Sequence, residues 1–254
     1  MFQQIGAHTW YMQQDVRTDR PSIGYIKGDK YSFAVEACAS PAHVALFYDK
    51  LKENGLPLPD FTGISHFHWD HSYGACAVNG LTIASARCNE MLRREAKWGW
   101  SEEEMLNRVA EGLDIRFGYV TRKLEYPDPK KIKVVPADIE VTGDAVIDLG
   151  GVTVQIINCG GPHSEDQLMF YVPEDKVLYV GDANTKDLHN NVWVYDEEHP
   201  ERLQEDIGKL PHFMDRLRPY VELMEKVDFE KCVQGHVDYV ADKKEVMDTM
   251  RAYL

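Results

Sequence analysis

No apolar run in this chain approaches the roughly 18 residues that a membrane-spanning helix requires, and Met1–Gly6 carries no basic region leading into an apolar stretch. Neither a membrane span nor a cleavable leader is therefore expected. Cysteine is scarce: Cys38, Cys76, Cys88, Cys159 and Cys232 are odd in number, scattered and without a CxxC pair. Such usage fits reduced thiols in a cytoplasmic protein, most of them serving as small core residues. Positive charge is also short, with 28 Lys and Arg against 42 Asp and Glu, a net charge of −14. A field of that sign repels a phosphate backbone, so nucleic acid is not an expected partner, and the acidity is read as serving solubility. No internal repeat is strong enough to claim from identity. The 254 residues allow one large domain or two small ones with a sizeable core.

What the chain does have is a concentration of metal-capable side chains at His66-Phe67-His68-Trp69-Asp70-His71. Imidazole and carboxylate are the donors that hold a borderline divalent cation such as zinc. On an extended strand end, His66 and His68 project the same way, because side chains alternate with period 2. One cation can take both. Asp70 and His71 lie past the strand, where the chain turns, and can face a second cation.

The surrounding pattern is one of strands and helices in two halves. Residues 8–12, 22–26 and 31–35 are rich in aromatic and β-branched residues and read as strands. Ser40-Pro41 opens a helix whose apolar residues Val44, Phe47, Tyr48 and Leu51 keep helical spacing until Asn54-Gly55. Residues 61–65 return as a strand and deliver the histidines. Residues 87–122 read as two or three helices, with a capping box at Ser101–Glu104. They form an insertion within a single domain spanning 1–254. Trp98 and Trp100 read as packing anchors ahead of a substrate platform. The insertion as a whole either lines a pocket over the metals or makes a homodimer contact, and the pocket is favoured. Strands are expected again at 132–135, 145–149, 152–157, 168–172 and 177–180. A helical region over 200–226, bent or broken at Pro211, a strand at 231–234 and a final helix capped by Asp242–Glu245 complete the chain. Two sheets packed face to face with helices outside are the expected α/β architecture.

Three further metal-capable residues follow apolar strands beside glycine: His163 in Cys159-Gly-Gly-Pro-His-Ser164, Asp182 in Leu178-Tyr-Val-Gly-Asp182, and His236 in Val233-Gln-Gly-His236. With the HxHxDH text these motifs, in this order and over nearly the whole length, resemble the metallo-β-lactamase superfamily. The resemblance implies a four-layer αβ/βα sandwich with metals at one edge between the sheets. It implies His66, His68 and His163 as ligands of one metal, and Asp70, His71 and His236 as ligands of a second. Asp182 would bridge the two. The implied cofactors are two divalent ions, zinc first, with iron or manganese as substitutes.

Two departures from the family pattern matter. Val35-Glu36-Ala37-Cys38 stands where the family usually has an IDTG-like motif, so Glu36 and Cys38 replace Asp and Gly. That position supports the site rather than binding metal. The loop after Asp182 lacks the glycine-rich text of glyoxalase II-like thioesterases, and Thr185 stands where acyl-homoserine lactonases tend to carry Tyr. Both activities are demoted. A bridging Asp182 also argues against a penicillinase. The expected chemistry is hydrolysis: two cations roughly 3.5–4 Å apart share a hydroxide, which Asp70 orients, and polarise the group attacked. The expected substrate is a small neutral or cationic ester, lactone, thioester or amide, contacted by Asn184, Lys186 and His189 as well as Trp98 and Trp100. An iron-dependent oxidoreductase of the sulfur dioxygenase type keeps the same HxHxDH text and is the alternative. A non-catalytic metal-binding protein is the second alternative.

Overall fold

The computed structural model describes residues 1–185 and 214–254. A seven-stranded sheet runs in the order β1 (Phe2–Gln4), β2 (Thr9–Met12), β3 (Ile23–Lys27), β4 (Ser32–Val35), β5 (Phe61–Gly63), β6 (Leu81–Ser85) and β7 (Ile139–Val141). Its first four strands pair antiparallel, and β4 through β7 pair parallel. A six-stranded sheet follows in the order β13 (Ala241–Asp242), β12 (Lys231–Val233), β11 (Val177–Tyr179), β10 (Leu168–Val172), β9 (Thr153–Asn158) and β8 (Ala145–Asp148). Within it only β11 and β12 are parallel.

Alternation along the strands sorts their side chains into layers. Leu168, Phe170 and Val172 of β10 meet Ile26, Phe33, Val35 and Ile83 of the first sheet in a core between the sheets. Met169 and Tyr171, one residue out of phase, face the opposite way onto Leu217, Tyr220, Val221 and Met224 of α6 (Met214–Lys226) and Val246 and Met250 of α7 (Lys243–Arg251). The outer face of the first sheet is covered by Val44, Phe47 and Leu51 of α1 (Pro41–Glu53). The result is the αβ/βα sandwich expected. Among the described residues no helix is long and apolar enough to cross a membrane.

Local signals position the helices. Ser40 accepts a hydrogen bond from the His43 N–H, Pro41 takes the first turn, and Gly55 at φ +66° ends α1. The helical segment expected at 87–122 runs slightly longer at both ends, as α3 (Ala86–Glu95), α4 (Glu102–Ala110) and α5 (Arg116–Glu125), and the capping box forms, with Ser101 and Glu104 bonding reciprocally. Trp69, Tyr73, Trp100, Met105 and Tyr119 join these helices in a fourth apolar cluster.

Some strands differ from the expectation. Residues 132–135 form no ladder, although Ile132 and Val134 are buried against the helical cluster. Their alternation reflects an extended chain pressed on helices, and the strand that completes the sheet is β7. The short strands β1, β6, β7 and β13 stand where the sequence pattern raised no expectation of one. Of the helical region at 200–226, Met214–Lys226 is helical, while the proposed break at Pro211 lies outside the described residues.

Candidate metal centre

Strands β5, β9, β11 and β12 deliver the donors from their C-terminal ends. Residues 66–71 follow β5, His163 follows β9, Asp182 follows β11 and His236 follows β12. The histidines of the first motif do not share a strand face: β5 ends at Gly63, and His66 and His68 sit in the bend before the single-turn helix α2 (Trp69–Ser72). They converge through the bend instead. His66 Nε2 lies 2.9 Å from His68 Nδ1, and His163 Nε2 lies 3.0 Å from the same atom.

These three imidazoles form one group of mutually close donor atoms, and Asp70, His71, Asp182 and His236 form another. In the second, Asp70 Oδ2 is 2.9 Å from His71 Nε2 and 3.1 Å from His236 Nε2. Asp182 stands between the groups: Oδ1 is 3.4 Å from His71 Nε2, while Oδ2 is 3.3 Å from His236 Nε2 and 3.9 Å from His163 Nε2. Two glycines make this approach possible. A Cβ on Gly181 (φ +52°) would collide with Ser65 Oγ, and one on Gly235 would collide with Asp182 Oδ1.

The electrostatics are those of a buried cation site. Burial works against the charge of Asp182, yet His236 and His71 hold its carboxyl well below the usual range. Burial opposes Asp70 in the same way, and His71 and His236 again prevail. Burial disfavours a charged His71, but Asp70, Glu36 and Asp182 raise its pKa well above that of free imidazole. On the other side, burial and the neighbouring His71 and His163 push His66 well below it. His71 Nε2 and Asp182 Oδ1 are buried 3.4 Å apart, with Asp70 Oδ2 2.9 Å from the same imidazole nitrogen and no well-formed hydrogen bond among them, an arrangement that a cation between the donors would relieve. The donor sets, three imidazoles in one group and two imidazoles with two carboxylates in the other, suit a zinc-like ion.

The departure at residues 35–38 is accommodated. Glu36 takes φ +79° and Cys38 φ +67°, both left-handed. From there Glu36 Oε2 accepts from the Ser65 N–H at 3.3 Å, and Oε1 lies 3.2 Å from His71 Nδ1. The longer carboxylate still supports a ligand imidazole. One support was missed in the sequence: Asp166, 2% exposed, accepts from the Phe67 N–H at 2.7 Å and from Ser164 Oγ. It ties the loop of His66 and His68 to that of His163. Its only signal was an acid three residues after a ligand histidine.

A cavity of about 540 Å³ opens over both donor groups. Trp98, Leu113, Ile115 and Phe117 give it an apolar wall, and the buried Tyr73, Glu95, Asp114 and Arg122 a polar one. The two tryptophans therefore part company. Trp98 lines the cavity, whereas Trp100, 9% exposed, packs against Tyr73 with ring centroids 5.5 Å apart. Trp100→Ala is expected to cost about 3–5 kcal/mol of stability, read by urea unfolding. Trp98→Ala is expected to keep the fold and change substrate preference. Asn184 lines the cavity too, but its Nδ2 donates to Gln234 Oε1 at 2.8 Å and its Oδ1 accepts from Tyr220 at 2.7 Å, so it also braces the loop. Lys186 and His189 lie outside the described residues.

A family model described as the metallo-beta-lactamase superfamily matches residues 44–234. No curated protein matches. Among solved structures, a B3 metallo-beta-lactamase with an active-site glutamic acid superposes with a TM-score of 0.65 at 9% identity, covering 99% of this chain and 88% of its own. A metallo-beta-lactamase from Cronobacter sakazakii, an HARLDQ-motif mutant, superposes with a TM-score of 0.64 at 15% identity, covering 99% of this chain and 94% of its own. Likeness at this identity is a likeness of fold.

Proposed function

The chain belongs to the metallo-beta-lactamase superfamily, and from its donor set we propose that it is a dinuclear zinc hydrolase acting on a small neutral or cationic ester, lactone, thioester or amide. The observation that carries this reading is Asp182, whose two carboxylate oxygens face donors of both groups. His66, His68 and His163 would hold one ion, and Asp70, His71 and His236 the other, with Asp182 shared. Divalent ions so placed supply Lewis acidity and bring a water molecule to a reactive ionisation state near neutral pH.

The chain's own groups do the rest. Asp70, 5% exposed and kept ionised by His71 and His236, presents a carboxylate to the cavity and can orient an attacking water by accepting a hydrogen bond from it. The apolar wall of Trp98, Leu113 and Phe117 excludes water from a bound acyl group. Among the described residues and outside the donor groups, the cavity is lined by the acids Asp19, Glu95, Asp114 and Asp238 and by one cation, Arg122, which is paired with Asp114. The excess of acids in the wall away from the donor groups favours a substrate whose group docking there is neutral or cationic. The five unpaired cysteines suit a reducing compartment such as the cytoplasm.

The test combines elemental analysis with a substrate panel. Two equivalents of zinc per chain, and turnover of at least one ester, lactone, thioester or amide, are expected after zinc loading. Protein purified without added metal that carries iron, absorbs in the visible range and consumes oxygen with a thiol substrate would overturn the hydrolase assignment. One tightly bound equivalent, with no second binding event on titration, would overturn the dinuclear part.

A further inference from the structure

Three of the five ligand imidazoles have an oxygen behind the ring. His66 turns Nε2 toward the donor group and places Nδ1 2.9 Å from Ser65 Oγ. His71 turns Nε2 inward and places Nδ1 3.2 Å from Glu36 Oε1. His236 also turns Nε2 inward, and its Nδ1 faces Asp19 Oδ1 at 3.7 Å. An oxygen behind a metal-binding imidazole fixes the tautomer and ring orientation and raises the basicity of the other nitrogen.

We propose that Asp19 is the positioning residue for His236, holding its ring so that Nε2 meets the second cation. This rests on the dinuclear reading above. The residue comes from the chain's N-terminal part, far in sequence from every donor, and it is delivered there by a built structure. Asp15 and Arg20 close a tight turn through an antiparallel bridge, and Asp19 within it takes φ +56°, a left-handed conformation uncommon outside glycine. Such backbone costs on the order of 1–3 kcal/mol and persists where the surroundings hold it.

The surroundings do hold it. Arg20 clamps Glu125 at the end of α5 with two hydrogen bonds of 2.9 Å, and Glu125 also accepts from Ser40 Oγ at the start of α1. Both arginine contacts are shielded, with the Glu125 side chain 1% exposed. On the far side of the turn the Ser22 N–H donates to the Gly235 carbonyl at 2.7 Å, and Gln14 Nε2 donates to Asp238 Oδ1. The turn is thus bonded to residues on both sides of His236. The distance of 3.7 Å from carboxylate to ring is beyond a hydrogen bond. A small rotation of the carboxylate would close it once a cation fixes the ring.

The test reads metal affinity rather than turnover. Zinc is titrated into the metal-free chain against a competing chromogenic chelator, in the wild type and in Asp19→Gly and Asp19→Asn. Glycine adopts φ +56° without strain, so Asp19→Gly removes the carboxylate while leaving the metal-free fold at least as stable. The expected result is a second zinc equivalent weakened about 10–100-fold in Asp19→Gly, a smaller loss in Asp19→Asn, and a first equivalent unchanged. The thermal midpoint of the metal-free protein is expected not to fall. Equal weakening of both equivalents, or a lowered midpoint in both variants, would mean that Asp19 only shapes the turn, and the proposal fails. Unchanged affinity for both equivalents also overturns it. A wild type that takes up a single equivalent instead overturns the dinuclear reading, and this proposal with it.

Discussion

Asp182→Ala, purified in zinc-replete buffer, is expected to retain one zinc equivalent in place of two and to lose turnover by more than the roughly 10–100-fold typical of a residue that merely supports a ligand. The reason is the position of the carboxylate. Its Oδ1 lies 3.4 Å from His71 Nε2, and its Oδ2 lies between His236 at 3.3 Å and His163 at 3.9 Å. Removing it leaves His71 and His236 facing Asp70 alone, three donors for an ion that prefers four. The first group keeps its three imidazoles, so each group is left with three donors and no shared carboxylate, and one ion of the pair is expected to be lost or loosened. The fold is expected to survive because the site lies at the sheet edge, outside the apolar clusters, although the metal-free state loses the ion pairs that hold this carboxyl ionised. Circular dichroism, elemental analysis and initial rates on the same preparation separate these effects. Two tightly held ions with full activity would show that Asp182 is a turn residue and that the groups do not share it.

The donors were legible because they stand beside short-range signals. Each follows an apolar run, and Gly181 and Gly235 precede Asp182 and His236 because the packing there leaves no room for a Cβ. The helices α1 and α4 were legible for the same reason, since their caps, Ser40 and Ser101, act within three residues. What stayed hidden depends on distant partners. Asp166 reaches Phe67 across 99 residues, and Arg20 reaches Glu125 across 105. Strand β6, Leu81-Thr-Ile-Ala-Ser85, is a strand because β5 and β7 flank it in parallel, and neither neighbour can be read from its own five residues. The convergence of His66 and His68 was anticipated for a reason the structure does not bear out: a bend rather than strand alternation brings them together. Donor identity survived that error, because a metal site depends on where side chains end, and several backbones can take them there.

The polar wall of the cavity was not read from the sequence, and it carries a large pH-dependent effect on stability. Burial pushes the Glu95 carboxyl up from 4.5 to about 7, with Asp114 adding to the rise, against the Tyr73 hydroxyl and the charges of Arg122 and Arg94. Tyr73 donates to Glu95 Oε2 at 2.9 Å, and Arg122 is itself paired with Asp114 inside the same wall. Between about 4.5 and 7 the folded chain therefore keeps a proton on Glu95 that the unfolded chain releases. The stability this group contributes is fully present below the unfolded value and is lost as pH rises through the folded one. At about 1.4 kcal/mol per pH unit, the loss across that window is on the order of 3 kcal/mol. Glu95→Gln keeps an acceptor for Tyr73 and cannot ionise. In urea unfolding, the variant is expected to gain about 3 kcal/mol relative to the wild type between pH 4.5 and 8. Contributions from the ligand histidines are common to both proteins and cancel in the difference. Above about pH 7, where Glu95 ionises, the same substitution removes one negative charge from the cavity, so KM for a cationic ester should rise there while that for its neutral counterpart holds. A stability difference that stays flat with pH would show that Glu95 ionises normally within the wall, and the argument for its buried proton would fail.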